Sequence, residues 1–191
     1  SISLISQIYN IPGSLNTFLM TWMLLCLPLI YLMRSSTASL LYLIGITVYA
    51  TETSYFSSQE PGAYGYWIML AAAIPHYFGL IRKNPSSNFT FIHHWAIPLS
   101  VIICLGTVSQ GASGFLFVGY FSLLGIYILI GKTSMFRKVP SWANAYLIFG
   151  TLGSLILLFI FSFDAVWDGL NLQNLSSTEM LLSLELWISL A

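Results

Sequence analysis

Gln7-Ile8-Tyr9-Asn10-Ile11-Pro12-Gly13 leads into an apolar run from Leu15 to Met33, which Arg34-Ser35 closes. The run carries Trp22 and Pro28 but no charge. At roughly 1.5 Å per residue, a helix of this length matches the roughly 30 Å of bilayer hydrocarbon. A polar turn before the span and a basic stop after it make a pattern that recurs down the chain. That recurrence predicts the fold.

The same pattern places a second span over about residues 38–56, after a Ser35-Ser36-Thr37 turn. Ser57 to Gly62 reads as a loop from its Glu-Pro-Gly chemistry. A third span over about residues 64–81 ends at Arg82-Lys83, and a fourth covers about residues 91–109. Gln110 to Gly114 forms a tight connection to a fifth span over about residues 115–130, followed by Lys132, Arg137 and Lys138. The sixth, about residues 142–163, is expected to be the longest. Segments at both ends read as partial helices of a longer chain: Ser1 to Tyr9, and the stretch after the capping-box spacing of Ser176 to Glu179. The expected fold is therefore an all-α integral membrane protein, one helical domain with six full transmembrane helices in three up-down hairpins.

Composition agrees. Of 191 residues, 57% are hydrophobic and only 6% charged, against about a quarter charged in a soluble domain. Six basic and six acidic residues cancel, which argues against a nucleic-acid partner. Cys26 and Cys104 lie inside apolar runs and read as small buried hydrophobes, not as a disulfide or a metal site. No cofactor motif is present, and no metal is expected. Every Lys and Arg follows span one, three or five, so the positive-inside rule puts those loops in the cytoplasm. Glu52, Glu60, Asp164, Asp168 and Glu179 fall near or in the opposite set of loops.

His76, after Pro75 in the third span, is the main candidate for an intramembrane polar site. An ionisable group at that depth usually faces a bundle interior or a cavity. The proline frees the carbonyl of Ala71, which needs a partner, and Ala71 to Ala73 would let another helix approach. A neutral histidine satisfying the kink and a proton or substrate relay both fit. His93-His94-Trp95 opens span four; adjacent helical positions point about 100° apart. With no Cys, Asp or Glu nearby in sequence, the pair reads as interfacial polar residues beside an anchoring tryptophan rather than as metal ligands. Glu52, one turn from the outer end of span two, can reach the headgroups. Gly150 and Ser154 offer a small-residue packing face on span six.

Gly111-Ala112-Ser113-Gly114 resembles the Gly-x-Ser-Gly sequence of rhomboid intramembrane proteases, in which a later histidine activates the serine. Here His76, His93 and His94 all precede Ser113, so a base within hydrogen-bond reach is hard to supply. An intramembrane serine hydrolase using Ser113 is the alternative function; a tight turn is the simpler reading.

Ile5-Ser6-Gln7-Ile8-Tyr9-Asn10-Ile11, with Trp22, Leu27-Pro28, Tyr31 and Arg34-Ser35, resembles the bacterial membrane-protein family called domain of unknown function 2157. The likeness covers about residues 4–55. It implies a multi-pass protein of the bacterial inner membrane, with further helices before residue 1. Gln7 and Tyr9 are further polar candidates. It implies no activity and no catalytic residue. The expected role is transporter-like or that of a partner-binding membrane subunit, with the lipid bilayer and either other membrane subunits or a small solute as partners.

Overall fold

The computed structural model describes residues 15–56, 64–85, 87–108, 116–134, 136 and 143–163. All of the regular structure among them is helical. The six α-helices are α1 (Leu15–Met33), α2 (Ser36–Thr51), α3 (Tyr64–Lys83), α4 (Asn88–Leu105), α5 (Leu116–Gly131) and α6 (Ala145–Ile160). A π-helical segment, Glu52–Phe56, continues α2, and a 3-10 turn, Gly106–Val108, continues α4. The expected partial helices at the two ends lie outside the described residues. The helices group into two compact units, Ser1–Pro85 and Ser86–Ala191.

In the first unit, α1 and α2 are joined by Arg34-Ser35. Arg34 adopts a left-handed φ of 49°, and Ser35 then caps α2 by accepting a hydrogen bond from the Ala38 amide at 3.3 Å. The serine supplies an acceptor for an amide that the first helical turn leaves unpaired. Helix α2 therefore starts at Ser36, slightly before its expected onset. Gly45 allows α1 to approach closely, because a Cβ there would fall 2.3 Å from Met23 Sδ. Helix α3 buries Tyr66, Met69, Leu70, Ala73, Tyr77 and Ile81, a three-to-four-residue spacing that defines one inward face. Tyr42 and Tyr49 of α2 meet Met69 and Gly65 of α3 respectively, so α2 and α3 run antiparallel.

In the second unit, Ser87 caps α4 by accepting from the Phe89 amide. Asn144 caps α6 by accepting from the Leu147 amide at 3.4 Å, and its Nδ2 donates to the Gly131 carbonyl at 2.9 Å. One buried side chain thus serves the end of α5 and the start of α6. This cap shortens the sixth segment: α6 has 16 residues, fewer than the 19 of α1 or the 20 of α3, so it is not the longest helix. The α5–α6 contact runs through glycines. A Cβ on Gly150 would lie 2.9 Å from the Leu124 carbonyl oxygen and 3.0 Å from the Ile128 nitrogen. Gly153 adds a further small position, against Leu124, and the Ser154 hydroxyl donates back to the Gly150 carbonyl at 2.7 Å.

Helices α1 and α4 are each long and apolar enough to cross a membrane by length and composition; α5 and α6 are shorter apolar helices.

Candidate functional site

Uncharged polar groups join the helices, and in both units the acceptors are backbone carbonyls near a proline. Helix α3 carries Pro75 in its interior. Proline removes a backbone donor and displaces the preceding turn, so carbonyls there are open to side-chain donors. The Tyr31 hydroxyl of α1 donates to the Ala72 carbonyl, and the Tyr42 hydroxyl of α2 donates to the Met69 carbonyl at 3.2 Å. Tyrosines of α1 and α2 thus meet the Ala72 and Met69 carbonyls of α3. Tyr31 reaches Ala72 from α1, whereas Ala71 lies on an exposed face of α3.

His76 is half-buried beside this bond. Its ring stands edge-on to Tyr31, with centroids 6.3 Å apart and planes at 86°. Pro75 itself is exposed. Tyr31, Ala72 and His76 therefore form one polar junction between α1 and α3.

In the second unit tyrosines again donate to backbone carbonyls, here at Pro98 of α4 and one turn after it. Tyr127 of α5 donates to the Pro98 carbonyl at 2.9 Å, and Tyr120 donates to the Ile102 carbonyl at 3.0 Å. His93 and His94 are buried, 1% and 5% exposed. Their positions at the start of α4 turn them inward, among aromatic rings and backbone. His93 Nδ1 lies 2.7 Å from the Phe89 carbonyl one turn back, and the His94 ring packs edge-on to Phe136 at 5.0 Å. Phe136 continues to Tyr146 at 5.1 Å, and Tyr146 to Tyr127 at 5.6 Å. Trp95 does pack at the α4–α6 contact, 5.5 Å from Phe149.

Glu52 opens the π-helical segment and is half-buried. Gln7, Tyr9 and Ser113 lie outside the described residues. Cys26 and Cys104 are free thiols, Cys104 buried and Cys26 half-buried. No group of three or more His, Cys, Asp or Glu among the described residues could hold a metal ion.

The tyrosine donors are the part of the site that composition alone conceals. Tyr31 enters the sequence reading only within a family-like pattern, and Tyr42, Tyr120 and Tyr127 look like further aromatics in apolar runs. Their signal is a hydroxyl within an apolar helix, where a buried polar group left unpaired would be costly. Chemically, the junctions offer neutral hydrogen bonding and one imidazole between helices. No family model, no curated protein and no solved structure matches the chain.

Proposed function

We propose that the chain is a six-span protein of the bacterial inner membrane that works by binding within the bilayer, as a transporter-like protein or partner-binding subunit. The supporting observation is the surface of α1. Only Met23 and Ile30 of its 19 residues are buried, while Leu25 is 68% and Leu32 82% exposed. In water such a continuous apolar surface is a liability; in hydrocarbon it is the expected covering. The far half of α6 adds Leu155, Ile156, Leu158 and Phe159, all exposed. Helices α2, α5 and α6 have 16 residues each, about 24 Å of rise. The shortfall against hydrocarbon thickness is met by the π-helical extension of α2, bilayer thinning and snorkelling of flanking residues.

In this reading the loops after Arg34, Arg82 and Lys132 are cytoplasmic. The binding role is assigned to the Tyr31–Ala72–His76 junction, the polar feature between α1 and α3. The kinship with the domain of unknown function 2157 family belongs to the same proposal and rests on the Gln7-Ile8-Tyr9 element, Trp22 and Arg34-Ser35.

Single cysteines test the topology, on a background lacking Cys26 and Cys104. Ser36→Cys, Ser86→Cys and Ser134→Cys should be protected from an impermeant thiol reagent in intact cells, and Ser58→Cys and Ser176→Cys should label. Labelling of Ser86→Cys from outside would sink the six-span arrangement.

A further inference from the structure

The register of the first unit brings its cations to one end. Tyr42 lies against Met69, and α2 and α3 are antiparallel. Eight residues back from Tyr42 is Arg34, and eight forward from Met69 is Tyr77, so the Arg34 turn comes level with Tyr77. Arg82 and Lys83 follow about 8 Å further along α3. All three cations are exposed. The carboxylate among the described residues is that of Glu52, at the opposite end of α2, about 27 Å from Arg34 along the helix. It cannot neutralise them.

The α3 surface below these cations is apolar and open. Ile68, Ala71, Pro75, Phe78 and Arg82 recur at three- and four-residue steps and are all exposed, Ile68 at 72% and Phe78 at 44%. Four apolar positions thus lead along one face to a guanidinium, with Lys83 beside it. An apolar track ending in exposed positive charge is complementary to an acyl chain ending in a phosphate. Arginine suits phosphate through its planar fork of donors, and lysine adds a point charge.

We propose that this end of the first unit binds an anionic phospholipid, its phosphate held by Arg82 and Lys83 with Arg34 adding field, and its acyl chain along α3. The inference rests on the membrane reading above. Two cations beside an anionic headgroup support a preference of roughly 10- to 30-fold over a zwitterionic one.

The test is native mass spectrometry of the full chain in mild detergent, titrated with phosphatidylglycerol or phosphatidylcholine of identical chains. Phosphatidylglycerol should be retained preferentially, and millimolar inorganic phosphate should not displace it. R82Q/K83Q should abolish the preference, R82K/K83R should keep it, and K132Q, a charge loss in the other unit, should leave it unchanged. Equal retention of both lipids, displacement by phosphate, or equal loss in K132Q would overturn the proposal. Carbonate extraction of membranes separates the two failures. A chain released by carbonate defeats the membrane reading and the lipid site together, whereas an embedded chain indifferent to headgroup charge defeats the lipid site alone.

Discussion

The Tyr127 hydroxyl donates to the Pro98 carbonyl at 2.9 Å, inside the second unit. Both residues are buried, so water cannot replace the bond if it is broken. Tyr127→Phe keeps the ring, including its packing against Tyr146, and removes only the donor. The expected cost is about 1 kcal/mol, the usual net worth of a buried hydrogen bond. Denaturant titration of the purified protein in mixed micelles should register it. No measurable change would mean that the hydroxyl does not hold α5 to α4.

The glycines of α6 permit a sharper comparison. A methyl group on Gly150 would meet backbone atoms, the Leu124 carbonyl oxygen at 2.9 Å and the Ile128 nitrogen at 3.0 Å, which cannot rotate away. On Gly153 it would meet the Leu124 side chain, with Cδ2 at 2.6 Å and Cδ1 at 3.0 Å, which can change rotamer. Gly150→Ala should therefore force the helices apart at about 2 to 3 kcal/mol, and Gly153→Ala should cost less than about 1.5 kcal/mol. The reverse order in the same titration would contradict the α5–α6 packing described above.

How much of this was legible beforehand depended on what kind of signal each feature leaves. Helix positions were readable where turn chemistry brackets an apolar run: Arg34-Ser35 and Asn84-Pro85 stop α1 and α3 within two residues of the expected ends. The sixth helix was over-extended because Trp142 and Phe163 continue the apolar run, while the residue that starts α6 is a polar one, Asn144, whose cap needs the Gly131 carbonyl of another helix to explain it. The inward turn of His93 and His94 was hidden for a related reason. Distance from a helix end says how deep a residue lies, not which way it faces. Cross-helix tyrosine bonds leave least trace, since an aromatic in an apolar run looks the same whether its hydroxyl meets a carbonyl or lipid.

The histidine at position 93 makes a prediction about a single proton. A carbonyl oxygen only accepts, so the 2.7 Å contact between His93 Nδ1 and the Phe89 carbonyl requires the hydrogen to be on Nδ1. Nitrogen-15 NMR of ring-labelled protein should show Nδ1 of His93 protonated. An imidazole carrying its only hydrogen on Nε2 would break this assignment. His93→Gln, which lacks the ring geometry, should destabilise the start of α4.

The turn at Arg34 provides the last test, because backbone strain there can be separated from charge. With φ at 49°, Arg34 occupies the left-handed region, in which a side chain beyond glycine crowds the backbone. Glycine relieves that crowding but loses more freedom on folding, and replacing arginine also removes a cation from the C-terminal end of α1. Comparing Arg34→Gly with Arg34→Ala cancels the charge term, since both variants lack it. Alanine retains the Cβ and its strain; glycine does not. Arg34→Gly should be the more stable of the two by about 1 kcal/mol, even after the entropy difference, which favours alanine by roughly 0.4 to 1 kcal/mol, is included. Thermal midpoints of the two proteins in the same detergent would decide it. If alanine proved equal or better, the left-handed conformation would not be what joins α1 to α2, and the Ser35 cap that follows it would lose its explanation.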